Sequence, residues 1–191
     1  MPEASSDAAI LIATSFQALE RAKDDDPNTS LTNCTITILF AGFYIEATLN
    51  YIFEYLDLET KLKKFPRPKS NPGLHHKLTW FYNEFISETK YSNWRDLDKY
   101  KAWDSVKKEF PGIEDIKEFR NDISHGKIND SAKSLEKTIK LRQQAKRIVN
   151  QLYAITESKG SPVDRDATYW KALKNEGYSF ETTPMSTESS S

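Results

Sequence analysis

The sequence predicts an all-α bundle with a C-terminal tail. Apolar residues recur at intervals of three and four over long stretches, proline and glycine separate these stretches, and no alternating strand pattern occurs. A chain of 191 residues is long enough for one domain with its own core. We therefore expect a helical domain over residues 1–159 and a partly disordered tail over residues 160–191, whose end is rich in Ser and Thr.

Six helices are predicted, and turn-forming residues mark their ends. Asp26-Pro27-Asn28 ends the first helix, after which Thr29 or Ser30 is expected to cap the second. Three prolines between residues 61 and 72 make that basic stretch a loop. Gly126 is expected to stop the fifth helix as a left-handed C-terminal cap. In order, the predicted helices cover approximately residues 6–23, 30–58, 73–88, 97–109, 113–125 and 131–158.

The second predicted helix is apolar on two nearly opposite sides. One stripe contains Ile36, Leu39, Phe40, Phe43, Ala47 and Tyr51, and the other contains Ile38, Ile45, Leu49, Ile52 and Leu56. A helix of this kind is buried on two sides, so it is either central to the bundle or shared with a second subunit.

Composition limits the classes of function. Charged residues make up 29% of the chain and the mean hydropathy is -0.68, and we count no apolar run of membrane-spanning length and no secretory signal. The single cysteine, Cys34, cannot form an internal disulfide and has no cysteine partner for zinc. These observations favour a cytoplasmic protein without membrane contact. A net charge of -1 argues against coating nucleic acid through bulk charge.

Arg120 and His125 are the strongest candidates for chemistry. They lie near the end of the fifth predicted helix, with Asn121 directly after the arginine. A guanidinium group binds phosphate oxygens in a fork, and an imidazole transfers protons near neutral pH. The combination predicts a site for a phosphodiester, and no metal-ligand cluster accompanies it.

Helical geometry assigns these residues to faces. At about 100° per residue, Ile116, Phe119 and Ile123 share the core side of the helix. Asn121 and His125 then project together on roughly the opposite side. Arg120 and Ser124 occupy the flank between the two faces. The imidazole is therefore expected to face solvent, a cleft or a partner chain.

A late helix with R-x4-H, an asparagine after the arginine and a glycine after the histidine resembles the HEPN family (higher eukaryotes and prokaryotes nucleotide-binding domains). The matching positions are Arg120, Asn121 and His125. The apolar segment over residues 41–50 resembles the second helix of these domains, and the likeness extends over about residues 6–158. The resemblance implies a HEPN-like helical bundle.

The resemblance also implies a metal-independent endoribonuclease in a toxin or phage-defence role, with RNA as substrate and no cofactor. Its site forms when two domains pair, which implies a homodimer, and an antitoxin or defence protein is a further expected partner. His125 would act on the ribose 2′-OH or the leaving 5′-oxygen, Arg120 would stabilise charge on the phosphate, and Asn121 would orient either group. Ser124 and Lys127 are expected to contact the substrate.

One position departs from the family pattern. Toxins of this family that pair with a nucleotidyltransferase antitoxin often carry a tyrosine two residues after the histidine, where this chain has Lys127. Control by AMP transfer at that position is therefore not expected. The alternative function is a non-catalytic HEPN-like module that binds nucleotide, RNA or a partner protein.

Four further features have two interpretations each. His75-His76 is either an exposed polar helix start or, less favoured, a metal site. Glu46 either pairs with Arg120 or lies exposed at a boundary. Lys133, Lys140 and Arg147, spaced by seven, form a solvated face rather than an RNA track in the favoured interpretation. The aromatic residues Tyr91, Trp94, Tyr100 and Trp103 are expected to pack in the core or loops rather than to stack on bases.

Overall fold

The structure, a computed structural model, describes residues 4–24, 26–58, 61, 73–127, 134–161 and 163, and within these ranges every regular element is helical. The predicted all-α class is confirmed. The α-helices are α1 (Ala4–Asp24), α2 (Pro27–Tyr55), α3 (Leu74–Phe81), α4 (Trp94–Lys99), α5 (Ala102–Glu109), α6 (Ile113–Ser124) and α7 (Leu135–Ser158). A π-helical turn, Tyr82–Ile86, continues α3.

Helix α2 is the spine of the bundle, because α1, α3, α6 and α7 all pack against it. The side chains of Ile38, Ile45, Leu49 and Ile52 are fully buried, as predicted for one of its two stripes. The other stripe is only half-buried at Ile36, Leu39, Phe40, Phe43 and Ala47. The expectation of burial on two sides therefore holds for one side, and the second side keeps an accessible apolar surface, although Tyr51 of that stripe is buried.

The start of α2 differs from the prediction. The helix begins at Pro27, and the cap is Asp26 rather than Thr29 or Ser30. The Asp26 carboxylate accepts hydrogen bonds from the Thr29 backbone N–H (3.3 Å) and the Thr29 hydroxyl (2.7 Å). Proline suits the first helical position because its missing N–H would have no partner there and its fixed φ is already helical.

The predicted fourth helix is two helices, α4 and α5. Asn93 caps α4 by accepting a hydrogen bond from the Asp96 backbone N–H at 3.0 Å, which starts the helix before the predicted Leu97. Lys101 has a left-handed backbone (φ 52°) and separates α4 from α5. The third predicted helix is confirmed with Leu74, Leu78, Phe81 and Phe85 buried, although its last turn is π-helical.

The last helix, α7, begins after Ser134, whose hydroxyl accepts a hydrogen bond from the Lys137 backbone N–H at 3.3 Å. An apolar stripe with spacings of four, three, four and three is buried at Leu141, Ala145, Ile148 and Leu152 and half-buried at Ile155. Beyond the helix, Val163 is also buried. The predicted tail lies outside the described residues apart from positions 160, 161 and 163, as does the basic loop apart from Lys61.

Helix α2 also bears on membrane contact. The segment Thr29–Tyr55 is long and apolar enough to cross a membrane by length and composition, with a mean hydropathy of 1.5 over its most apolar window. The segment contains no long uninterrupted apolar run, because threonines and two glutamates, Glu46 and Glu54, interrupt the apolar residues. In the folded chain 61% of that window is buried, and both the core helix of a soluble protein and a signal sequence near the N-terminus meet the same criteria.

Candidate functional site

The end of α6 holds the predicted site. Ile113, Ile116 and Phe119 are fully buried and anchor the helix against the bundle. The helix ends at Ser124, as predicted to within one residue, and Gly126 follows with a left-handed backbone (φ 69°). The Gly126 N–H donates to the Ile123 carbonyl (3.0 Å) and the Lys127 N–H donates to the Asp122 carbonyl (2.8 Å). This pair of bonds is the Schellman arrangement, and it confirms the predicted glycine cap.

The Arg120 side chain is held by α2. Its Nη2 lies 2.7 Å from Oε2 of Glu46, and its guanidinium carbon lies 4.9 Å from the centre of the Phe43 ring. The side chains of Arg120 and Glu46 are 23% and 26% exposed, so both remain within reach of solvent. Of the two interpretations of Glu46, pairing with Arg120 is confirmed. The guanidinium therefore has a fixed direction on the flank of α6.

Close approach of α2 and α6 depends on Gly42. A Cβ at this position would lie 3.0 Å from Arg120 Cδ and 3.1 Å from Ile116 Cγ2, both tight contacts. The glycine thus leaves room for the arginine stem to cross α2 and reach Glu46. The segment that carries Gly42, Phe43 and Glu46 is the one in which the sequence resembles the HEPN second helix.

Asn121 and His125 are exposed on the outward side of α6. The helical-face prediction is confirmed for both, since Ile116 and Phe119 are buried on the other side and Ile123 is half-buried. Among the described residues, no hydrogen bond or ion pair involves either side chain. The backbone N–H of His125 donates to the carbonyls of Asn121 and Asp122, each at 3.1 Å. These bonds fix the position of the backbone from which the imidazole side chain extends. The ring is thus available to solvent or to a second molecule.

The two predicted substrate contacts have different outcomes. Lys127 is exposed two residues beyond His125, and its backbone belongs to the helix cap. The Ser124 backbone ends α6, whereas its side chain lies outside the described part of the structure. On α7, Lys140 and Arg147 are exposed, in agreement with a solvated face, and Lys133 lies outside the described residues.

A second cluster joins α3, α5 and α6, and sequence analysis missed it. The predicted exposed helix start at His75-His76 is wrong, because the His75 ring lies 4.3 Å from the Trp103 ring and the His76 ring lies 5.3 Å from the Trp94 ring, centre to centre. Trp103 Nε1 donates to Glu114 Oε2 at 2.5 Å. Contacts between residues so far apart in the chain leave no local signal in the sequence.

Charge and burial set the protonation of this cluster. Burial lowers the pKa of His75 to about 4, with smaller contributions from His76 and Lys117. The Lys117 ammonium lies 3.0 Å from the Glu114 carboxylate and 5.1 Å from the centre of the Trp103 ring. Burial alone would raise the pKa of Glu114, but hydrogen bonds from Lys117 and Trp103, together with nearby lysine charges, lower it. The residues described contain no group of three His, Cys, Asp or Glu side chains that could hold a metal ion.

No protein-family model, curated protein or solved structure matches this chain. The likeness to the HEPN family therefore rests on the residues of α6 and α2 themselves.

Proposed function

We propose that this chain is a metal-independent endoribonuclease of the HEPN type, with Arg120, Asn121 and His125 as catalytic residues. The end of α6 carries this proposal, because it combines a guanidinium held by Glu46 with an exposed imidazole five residues further along the chain. For cleavage of a phosphodiester by its own 2′-hydroxyl, an imidazole can transfer the proton and a guanidinium can stabilise the charge on the phosphate.

In the proposed reaction, His125 removes the proton of the ribose 2′-OH. The 2′-oxygen bonds to phosphorus, the bond between phosphorus and the 5′-oxygen breaks, and the 5′-oxygen receives a proton from a general acid. The products are a 2′,3′-cyclic phosphate and a 5′-hydroxyl end. Arg120 stabilises the charge that develops on the non-bridging oxygens, and Asn121 orients the imidazole or the phosphate. A metal is not required because the nucleophile belongs to the substrate.

A homodimer would supply the general acid. One chain offers one imidazole on its outward face, whereas a two-fold pair offers two, one acting as base and the other as acid. The half-buried apolar side of α2 supports this part of the proposal, since Phe40 and Phe43 lie on it and Phe43 also contacts Arg120. Ser124 and Lys127 are proposed to contact the RNA strand beside the reacting phosphate.

We further propose a toxin or phage-defence role in the cytoplasm, with an antitoxin or defence protein as regulator. The motif resemblance supports this role, and Lys127 in place of a tyrosine argues against regulation by AMP transfer at that position.

A non-catalytic binding module is the second candidate. The ion pair with Glu46 favours it, because that carboxylate already offsets the positive charge of Arg120, and the chain as a whole has a net charge of -1. Such a module would bind nucleotide, RNA or a partner protein through the same surface without cutting RNA.

The first prediction tests catalysis directly. The purified chain should cleave single-stranded or structured RNA in the presence of EDTA and leave cyclic phosphate ends, detected by mass spectrometry of the fragments. His125→Ala and Arg120→Ala should each lower the cleavage rate at least about a hundredfold, since general acid–base and charge-stabilising groups contribute this much.

Arg147→Ala is the matched control, because it removes an exposed guanidinium from α7 and should leave the cleavage rate unchanged. Circular dichroism checks that each variant keeps its helical content. Equal cleavage by the wild type and His125→Ala would remove the catalytic assignment. RNA binding without cleavage would favour the second candidate, and a rate lost in EDTA but restored by magnesium would indicate a different reaction.

A further inference from the structure

A groove of about 390 Å³ lies beside the π-helical turn, between that turn and the α4–α5 junction. Its walls combine aromatic rings with hydroxyl groups and one carboxylate, contributed by Tyr82, Tyr91, Tyr100, Ser87, Thr89 and Glu88. Glu88 is the only charged side chain among the described residues that line it. None of these residues belongs to the Arg120 and His125 motif. An inference about the groove is therefore independent of the proposed ribonuclease activity.

The end of the π-helical turn brings carbonyl groups to the side of this groove. Residues Leu74–Phe81 and Tyr82–Ile86 form one continuous helical run, and residues directly after its end line the groove. The last carbonyl groups of a helix lack helical partners and carry partial negative charge. The Lys90 ammonium already binds two of them, at 2.7 Å from the Asn83 oxygen and 2.9 Å from the Glu84 oxygen.

The tyrosine rings add a second kind of cation site. The rings of Tyr91 and Tyr100 are stacked, with centres 5.1 Å apart, and Tyr100 is 55% exposed. The Lys99 ammonium lies 5.2 Å from the centre of the Tyr100 ring, a cation–π distance. Thus two lysines of the chain itself already bind carbonyl groups and a ring beside this groove, which shows that both kinds of partner suit an ammonium group.

Two unusual backbone features border the same groove. The π-helical turn lies on one side, and Lys101, left-handed without being glycine, directly follows Tyr100 on the other. Both conformations cost free energy and occur often at functional sites. The first turn of α5, with its N–H groups, also borders the groove at Ala102. It favours an anion, as do the nearby ammonium groups of Lys90 and Lys99.

We propose that this groove binds a primary ammonium group carried on an alkyl stem, as in a polyamine or a lysine side chain. The ammonium donates hydrogen bonds to Glu88 and neighbouring oxygen atoms, and the stem lies along the Tyr91 and Tyr100 rings. A quaternary ammonium could not use the oxygen acceptors, and the Glu88 carboxylate would repel a phosphate.

The second prediction tests this site with the full chain at physiological salt and without RNA. Calorimetry and amide NMR follow titrations with spermidine, with Nα-acetyl-lysine methylamide and with AMP. We expect saturable binding of an ammonium ligand, with resonance shifts centred on Glu88, Tyr91 and Tyr100. Glu88→Gln should weaken binding about tenfold, since it removes a charged hydrogen bond. Tyr100→Ala should weaken it about threefold through the lost cation–π contact.

Glu54→Gln is the matched control, because it removes an exposed carboxylate from α2 and should leave the affinity unchanged. Tighter binding of spermidine would identify a free polyamine as the ligand, and tighter binding of the lysine derivative would identify a peptide side chain. The proposal is overturned if neither amine binds, if binding survives both groove substitutions, or if AMP binds in the groove more tightly than the amines.

Discussion

The Arg120 guanidinium is oriented by two partners on α2, the Glu46 carboxylate and the Phe43 ring. A partly exposed ion pair stabilises a fold by at most about 1 kcal/mol. The main effect of this pair is therefore on the orientation of the Arg120 guanidinium rather than on the stability of the fold. A guanidinium with five N–H donors can be fixed by one carboxylate and still offer a fork to a phosphate. Glu46 is therefore best understood as a positioning residue for the proposed site.

His75 makes stability depend on pH, and this is the third prediction. Burial holds its folded pKa near 4, against 6.5 for an unperturbed histidine, so the folded state resists protonation. The stability is complete above pH 6.5 and falls as the pH drops from 6.5 towards 4, because the unfolded chain takes up the proton first. Because part of the ring meets solvent, we expect a loss of about 1–2 kcal/mol rather than the full value of the shift.

Urea unfolding at a series of pH values between 7.5 and 4 measures this loss. His75→Phe keeps a ring against Trp103 but cannot take up a proton, so its stability should fall less over that range. His125→Ala removes an exposed histidine and should keep the wild-type pH dependence. An identical pH dependence in His75→Phe and the wild type would show that other groups cause it.

Single residues differ in how far the sequence could predict them. The outward direction of Asn121 and His125 follows from helical periodicity alone, and the structure agrees. The pairing of Glu46 with Arg120 was one of two open interpretations, because periodicity gives the face of a residue but not its partner. The His75–Trp103 contact left no such signal, since 28 positions separate the two residues and only the packing of α3 on α5 brings them together.

At the scale of elements, Gly126 fixes the end of the helix that carries the proposed site. Its φ of 69° lies in the left-handed region, which costs other L-residues about 1–2 kcal/mol. A Cβ there would meet nothing within 4 Å, so substitution tests the backbone alone. The fourth prediction is that Gly126→Ala lowers the free energy of unfolding by about 1 kcal/mol, whereas Gly126→Asn costs less because asparagine tolerates this conformation.

Gly73 provides the matched control for this prediction. It also has open space around its Cβ position and an ordinary φ of -77°. Gly73 is the N-cap of α3, where glycine is favoured over alanine, so Gly73→Ala should cause a loss, but a smaller one than Gly126→Ala. Denaturation in urea compares the three variants. An equal loss in Gly73→Ala and Gly126→Ala would contradict a backbone cause.

Element boundaries show what sequence patterns capture. The Gly126 cap was predicted because glycine beyond an apolar-periodic stretch is a strong helix stop. The division between α4 and α5 was not, because Lys101 gives no sign of a left-handed backbone. The π-helical turn also leaves no sign in the sequence. A single turn with a slightly longer period does not change the spacing of apolar residues by three and four positions.

At the scale of the molecule, the half-buried side of α2 underlies the proposed homodimer, and this is the fifth prediction. Light scattering should report about twice the 22.0 kDa chain mass at micromolar concentration. Phe40→Glu places a charge on that side and should shift the mass towards that of one chain. Tyr100→Glu changes an exposed ring away from α2 and should leave the mass unchanged.

Mixing Arg120→Ala and His125→Ala chains tests whether the dimer shares its catalytic groups. A mixed dimer would retain one guanidinium and one imidazole on different chains, so its cleavage rate should differ from that of either mutant dimer. A strictly monomeric wild type with full cleavage activity would contradict the shared site even if the catalytic residues are correct.

The central position of α2 also has a consequence for how the chain is made. On the ribosome, α2 is finished at Tyr55, whereas α7, which covers much of it, begins only at Leu135. At a synthesis rate of about 5–20 residues per second, several seconds pass before α7 is made and can pack against this apolar helix. During that interval α1 is the main helix that covers α2. The nascent chain therefore exposes the apolar surface of α2 that α7 later covers, and such surface can bind chaperones and other unfinished chains.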